Sequence, residues 1–168
     1  MFNYTCLNPI AGVGLDLLSD EYNKVDDIKD AQVSGLLHDC AKCIPNKKKL
    51  KMCSEHNIPV SDFERSHPFL LHSRLGAYIA HEKYGIDDQE ILSAINYHTT
   101  GRREMSLLEK IIYIADYMEP GRKQAPNLSA IRKAAFEDLD KALLMILEDT
   151  LSYLHSTGSV VDTMTQKT

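Results

Sequence analysis

Apolar residues recur along this chain at intervals of three and four, the period of a helix buried on one face, and proline, glycine or acidic breaks separate the segments. A first helix is expected from about Ala11 to Asn23, with Val13, Leu17 and Leu18 on its apolar face. A second is expected from about Ile28 to Lys42, capped by Asp26 or Asp27, with Ala31, Gly35 and Leu36 at helical spacing. Pro45-Asn46 ends it, and a short helix over Lys47 to His56 runs up to the break at Pro59. Ser61-Asp62 starts a further turn, and Pro68 opens a longer helix to about Tyr84, lined by Leu71, Leu75, Tyr78 and Ile79 and stopped by Gly85. Asp87-Asp88 begins a helix to about His98, which Thr100-Gly101 closes. Ser106 and Glu109 form the Ser-x-x-Glu capping box of an isoleucine-rich helix ending near Glu119-Pro120. A last helical region, from about Ser129 to His155, carries Leu139, Leu143, Ile146, Leu147 and Leu151 at core spacing before Gly158. No segment alternates as a strand would, so the expected fold is all-α, a single helical bundle.

Composition narrows this picture. A chain of 168 residues, 43% hydrophobic, suits one domain with a proper core. The net charge of -5 leaves no basic footprint, which argues against nucleic acid as the main partner. The one dense basic run, Lys47, Lys48, Lys49 and Lys51, is expected to be a solvated helix face. No apolar stretch approaches the roughly 20 residues that span a bilayer, and no Lys or Arg precedes Lys24 to form a secretory n-region. A cytoplasmic setting follows as an expectation, with no membrane partner and with the four cysteines as reduced thiols. Residues 159–168 are expected to form a flexible tail.

The candidate chemistry begins at His38-Asp39, inside Gly35-Leu36-Leu37-His38-Asp39-Cys40-Ala41-Lys42. An ionised Asp beside Leu36 and Leu37 is costly unless a cation or hydrogen-bond donor compensates it. His72, His98 and Asp116 follow in order, each on or beside an apolar helical stretch. Alone, His72 would read as a satisfied core histidine, and Asp116 as a partner of Arg122 or Lys110. Together the five residues form a ligand set for iron, manganese or zinc. His56, His67, His81 and His155 lie in polar or terminal contexts and are not taken as ligands. Cys40-x-x-Cys43 with Cys53-x-x-His56 has pair spacings compatible with structural zinc, but Cys40 lies within the His-Asp motif and a helix separates the pairs. Lys42, one turn after His38, could meet a phosphate as a point charge, and Arg122 could grip one in bidentate fashion. Thr99, Thr100 and Gly101 offer hydroxyls and backbone amides beside His98.

Further phrases join these: Leu70-Leu71-His72, Ala94 to Gly101, Met105-Ser106, Ile112 to Arg122 and Ile131-Arg132. From about Ala31 to its end the chain resembles the HD-domain metal-dependent phosphohydrolases, and within them the small bacterial YqeK-type group of symmetrical bis(5'-nucleosyl)-tetraphosphatases. The resemblance implies two metal ions, iron first, with manganese or zinc as alternatives. His38, Asp39 and Asp116 would serve one ion, while Asp39 bridges to a second held by His72 and His98. A bridging hydroxide would then be the nucleophile. It further implies Asp39, Lys42 and Arg122 as catalytic residues and Lys42, Thr99, Thr100, Gly101 and Arg122 as substrate-binding residues. The substrate would be a dinucleoside polyphosphate, diadenosine tetraphosphate being cleaved symmetrically to two ADP, and the assembly a homodimer. Family members carry an earlier His as a metal ligand, whereas no His precedes His38 here, so residues 1–25 depart from the pattern. Three accounts stay open: one ion lacks a protein ligand; Asp16, Cys6 or a water replaces the ligand expected near Asn8 or Pro9; or the first dozen residues stem from an altered start or frame. Two alternative functions accompany them, a phosphohydrolase acting on another nucleotide or phosphate ester, and a degenerate module that binds nucleotide or metal without turnover.

Overall fold

Side-chain caps at Ser61, Asp88, Ser106 and Asp138 open four of the helices. The protein is described here by a computed structural model that covers residues 25–122, 125–158, 165 and 168. Eight α-helices occur among these residues and no strand: α1 Val25–Leu37, α2 Asn46–Glu55, α3 Asp62–Ser66, α4 Leu71–Tyr84, α5 Gln89–Tyr97, α6 Leu107–Tyr117, α7 Leu128–Ala135 and α8 Leu139–Ser156. Ser61 and Ser106 each accept from the backbone N–H three residues on, while Glu64 and Glu109 reach back to the cap, so both capping boxes form. Asp88 caps α5 by accepting from the N–H groups of Glu90 and Ile91. Gly85 ends α4 in the left-handed region, at φ 65°, where a side chain is disfavoured. The expected helix over Ala11 to Asn23, and with it Cys6, Asn8, Pro9 and Asp16, lies outside the described residues. So does the expected tail over 159–168, apart from Thr165 and Thr168.

Five expectations need correction. α1 is already formed at Val25, which places Asp26 and Asp27 within its first turn rather than at its cap. It ends at Leu37 rather than Lys42, and residues 38–44 continue as tight turns, with Cys40 N–H donating to the Leu37 carbonyl and Lys42 N–H to that of Asp39. The reason is local competition: His38 Nδ1 donates to the Gly35 carbonyl, the acceptor that a continuing helix would offer to Asp39. Leu36 is exposed, because the inward stripe of α1 is Ala31, Ser34, Gly35 and His38, at intervals of three and four. The last helical region is two helices, since Asp138 adopts extended backbone and accepts from Lys141 N–H, ending one helix and starting another inside the apolar run. The lysine run is only partly solvated: Lys47, Lys48 and Lys51 are exposed, but Lys49 is 3% exposed.

Helix α6 organises the interior. Its Leu108, Ile111 and Ile112 pack with Ala31 and Leu37 of α1 and with Ile91, Ala94 and Ile95 of α5. Its Tyr113 and Ile114, with Met118 beyond its end, pack against Ile131 and Ala134 of α7 and Ala142, Ile146 and Leu147 of α8. A third cluster joins Ala41 and Cys53 to Leu71, Leu75 and Ile79 of α4. Each fully buried isoleucine or leucine contributes about 1.5–3 kcal/mol, so these clusters fix α1, α4, α5 and α6 around one another. Gly76 lets α4 come close to the end of α1, since a Cβ there would sit 3.3 Å from the His38 carbonyl oxygen. Among the described residues no helix is long and apolar enough to cross a membrane.

Candidate active site

Three histidines share one local device. His38 follows the end of α1, His72 opens α4 and His98 follows α5. Each ring donates from Nδ1 to the carbonyl three residues earlier: His38 to Gly35 at 2.8 Å, His72 to Phe69 at 2.7 Å, and His98 to Ile95 at 2.7 Å. A carbonyl only accepts, so Nδ1 carries the proton and Nε2 of the neutral ring presents its lone pair. The same backbone bond fixes the ring's direction.

The three Nε2 atoms meet at Asp39. His38 Nε2 lies 3.4 Å from Oδ2, while His72 and His98 Nε2 lie 3.4 and 3.6 Å from Oδ1. Asp116, from α6, brings Oδ1 to 3.8 Å from His38 Nε2. The carboxylate therefore turns one oxygen toward His38, on the side of Asp116, and the other toward His72 and His98. His38, Asp39 and His98 offer ligand atoms within 4.8 Å of one another, the one such group among the described residues. All five candidate ligands thus converge from four segments of the chain.

The donor set has an excess of lone pairs. His72 and His98 Nε2 face each other at 3.1 Å, and Thr99 Oγ1 lies 3.2 Å from His72 Nε2. His38 Nε2 and Asp39 Oδ1 are buried with no hydrogen-bond partner among the described residues. Buried acceptors aimed at one another need a proton or a cation between them, and imidazole with carboxylate suits a borderline or hard divalent ion. The residues present therefore fit a metal.

The titration behaviour follows the same geometry. Burial, and then the nearby His98, push the His72 pKa down to about 4, so this ring is neutral near pH 7. Burial also opposes charge on His38, but the carboxylates of Asp39 and Asp116 outweigh it and raise its pKa. For Asp39, burial works against ionisation, yet His38, His98 and Lys42 hold its carboxyl well below the usual carboxylate range. Lys42 Nζ donates to Asp39 Oδ2 at 2.6 Å, so the ammonium sits against the centre with its stem largely exposed.

The other expected residues fall at the rim. Arg122 lies beside Asp116: Nη2 donates to the Asp116 carbonyl at 3.4 Å, the guanidinium stands 4.9 Å from the Tyr117 ring centre, and buried Nε has no partner among the described residues. Thr99 points into the centre, whereas Thr100 Oγ1 donates to the Gly101 carbonyl. Gly101 turns at φ 67°. Lys110 pairs with Asp140, so neither it nor the Arg122 guanidinium neutralises the Asp116 carboxylate. The cysteines and His56 do not gather: Cys40 Sγ donates to the Gly76 carbonyl, Cys53 is buried in the core, and His56 stacks on Tyr78.

Two supports were not foreseen. Glu109, 1% exposed, accepts from Ser93 Oγ, from Arg102 Nε at 2.8 Å and from Ser106 N–H at 2.7 Å. It thereby ties α5, the loop carrying His98 to Gly101, and α6 together. Arg132 donates to the carbonyls of Met118 and Glu119, closing the end of α6 two residues beyond Asp116. The capping box announced Glu109 as a local cap, and nothing local announces its two distant partners.

Comparison with known proteins identifies the family. The family model described as HD domain matches residues 13–121. The symmetrical bis(5'-nucleosyl)-tetraphosphatase of Bacillus subtilis is 38% identical over 128 residues, covering 76% of this chain and 68% of that protein. The protein of the same name from Staphylococcus aureus is 37% identical over 130 residues, covering 76% and 66%. Among solved structures, a predicted HD superfamily hydrolase involved in NAD metabolism from Clostridium acetobutylicum superposes with a TM-score of 0.90 at 40% identity, covering 98% of this chain and 85% of that one.

Proposed function

Because the chain belongs to the HD domain family, we propose that it is a metal-dependent phosphohydrolase that cleaves dinucleoside tetraphosphates symmetrically, yielding two ADP from diadenosine tetraphosphate. The observation that carries this is the single carboxylate of Asp39, with one oxygen toward His38 and Asp116 and the other toward His72 and His98. His38, Asp39 and Asp116 would hold one ion, and Asp39, His72 and His98 a second. Bound there, a metal pair supplies Lewis acidity to the phosphoryl oxygens and lowers the pKa of the attacking water.

The chain's own residues do the rest. The Nδ1–H bonds lock the three rings, so no imidazole has to reorient when substrate arrives. Lys42, poised at Asp39, offers its ammonium to a phosphate oxygen as charge builds on phosphorus. Arg122, with Nε unpartnered, offers a fork to a second phosphate. Thr99 adds a hydroxyl at the centre, and Thr100 with Gly101 forms the adjoining turn.

Iron is the first candidate metal, with manganese or zinc as substitutes. A cytoplasmic setting and a homodimer complete the proposal, and both rest on composition and family likeness. The test is metal content per chain, measured on protein purified without chelators, beside diadenosine tetraphosphate turnover on the same sample. Two ions per chain with ADP as sole product are expected; one ion or none, with no turnover after metal is added, refutes the proposal.

A further inference from the structure

The proposed hydrolysis has no use for Cys40-x-x-Cys43, which directly follows Asp39 and encloses Lys42. Cys40 is half-buried, with Sγ donating to the Gly76 carbonyl at 3.6 Å, whereas Cys43 is exposed, and both are free thiols. The chain between them is tightly wound. Backbone bonds run from Cys40 N–H to the Leu37 carbonyl, from Lys42 N–H to that of Asp39 and from Ile44 N–H to that of Ala41, at 3.0, 2.9 and 3.2 Å. None of residues 40–43 has a positive φ, so the turns closed over 39–42 and 41–44 are of type I, and Ala41 and Lys42 are both near-helical.

That winding suits a disulfide. A turn holds the Cα atoms of its first and fourth residues within about 7 Å, and a disulfide spans Cα atoms about 4.4–6.8 Å apart. Side chains three apart in a run of such turns stand over one another. The preceding pair shows it, since Lys42 Nζ reaches Asp39 Oδ2 at 2.6 Å across the same spacing. Cys40 and Cys43 are the next pair along.

We propose that Cys40 and Cys43 are a thiol-oxidation site, which closes as an intramolecular disulfide by exchange with a low-molecular-weight disulfide such as oxidised glutathione, and that closure weakens the metal centre. Cys43, the exposed sulfur, attacks first as the thiolate, keeps one half of the small disulfide and releases the other as a thiol. Cys40 then attacks Cys43 Sγ and displaces the second small thiol. The protons of the two cysteines pass to the two thiols released, so the chain loses two hydrogens and two electrons and the small disulfide gains them. Closure acts on Asp39. To reach Cys43, Cys40 Sγ leaves the Gly76 carbonyl, where α4 and the end of α1 already approach closely: a Cβ on Gly76 would lie 3.3 Å from the His38 carbonyl oxygen and 3.6 Å from Cys40 Sγ. The sulfur moves by turning Cys40, which is bonded directly to Asp39, the carboxylate that faces all three Nε2 atoms. In a reducing compartment such a bond is transient, as a sensor requires.

The pairing concerns the thiols alone, and its effect rests on the metal centre, so the two are measured separately. The full chain is equilibrated with oxidised or reduced glutathione and freed of it; disulfides are then mapped by peptide mass spectrometry, and manganese is titrated calorimetrically into each form. Wild type, Cys43→Ser and Cys6→Ser are compared. The oxidised wild type should carry a Cys40–Cys43 bond that dithiothreitol reverses, and should bind manganese at least about tenfold more weakly than the reduced form, the loss typical of a disturbed ligand support. Cys43→Ser should keep the reduced-form affinity after either treatment, and Cys6→Ser should behave as the wild type. Thiols that stay reduced, glutathione retained on Cys43 with Cys40 free, or a bond from either cysteine to Cys6 or Cys53 overturns the pairing. A mapped bond with unchanged manganese affinity overturns the effect on the centre. Failure of the reduced wild type to bind manganese would refute the metal centre itself, while the mapped bond still decides the pairing.

Discussion

Glu109→Gln changes one atom and tests how the site is held. The Glu109 carboxylate is buried and accepts three donors: Ser93 Oγ and Arg102 Nε on Oε1, and Ser106 N–H on Oε2. The amide of Gln replaces one acceptor with an NH2, which must then face either Ser106 N–H or the Ser93–Arg102 pair, donor against donor. Hydrogen bonds to charged groups contribute about 1.5–3 kcal/mol each, and breaking a fully buried ion pair costs about 3–5 kcal/mol. Arg102 keeps a third of its side chain in water, which can rehydrate it, so the cost should fall near 2–3 kcal/mol. For a chain of this size that is a fall in Tm of about 4–12 °C, read by thermal denaturation of the metal-loaded protein. Metal affinity should fall as well, because the loop that presents His98 and Thr99 loses its tie to α6. In an Arg102→Met background the same change should cost at least about 1 kcal/mol less, the coupling expected of direct partners. A Tm unchanged by Glu109→Gln, or costs that simply add, would refute the assignment of Glu109 as the tie between α5, the loop and α6.

Asp39→Ala should abolish bound metal and hydrolysis while far-ultraviolet circular dichroism stays near wild type; retained metal by elemental analysis would contradict the bridging role. Chelation of the wild type should lower Tm, and excess metal should restore it, by about 2.7 kcal/mol at a free concentration a hundredfold above Kd; a Tm indifferent to chelator would mean that the centre binds no ion. Gly76→Ala should destabilise by about 1–3 kcal/mol, since its Cβ would crowd the His38 carbonyl at 3.3 Å and Ile95 Cγ2 at 3.4 Å; an unchanged melting temperature would show that α4 can shift freely. In metal-free protein His72 is neutral when folded and its pKa is lowered to about 4, so its contribution is full above the unfolded imidazole value near 6.5 and is lost as pH falls from there toward 4. His72→Phe should flatten the stability profile in that window, and an unaltered profile would show that another group governs it.

What the chain discloses depends on the range of the interactions involved. Caps and stops act within a few residues, so Ser106, Asp88 and Gly85 mark their helix ends in the sequence and do so in the fold. The five candidate ligands were legible because each joins a titratable side chain to an apolar stretch, where a lone charge would be costly. The split at Asp138 was hidden by apolar residues that keep helical spacing on both sides of it. Lys49 was hidden by composition: four lysines in five positions read as solvent-facing, although Lys49 and Cys53, four apart, share the buried face of α2. Glu109 and Arg132 act on residues far along the chain, or on backbone carbonyls, and a single sequence records no such pairing.

The centre is arranged against the stability of the ion-free chain. Ordinary cores pair buried acceptors with donors, but here the rings cannot satisfy one another's Nε2, because every imidazole proton is committed to a backbone carbonyl at Nδ1, and the Thr99 hydroxyl stands beside His72 Nε2 alone. Lys42 and a proton on His38 are the compensations left to the empty donor set, and both bear on Asp39. A divalent ion does the work of both. With an ion held there, Lys42 would be freed from its 2.6 Å pairing with Asp39 and could meet a phosphate oxygen of the proposed substrate. On the proposed function, metal binding and exposure of the Lys42 ammonium would be one event at the Asp39 carboxylate, with ions binding before polyphosphate. The coupling predicts that tripolyphosphate binds the chelated protein more weakly than the metal-loaded one even after direct metal–phosphate contact is discounted, and Lys42→Met should shrink that difference. A difference of the same size in Lys42→Met would show that the ions act on the anion alone and that Lys42 is not released by them.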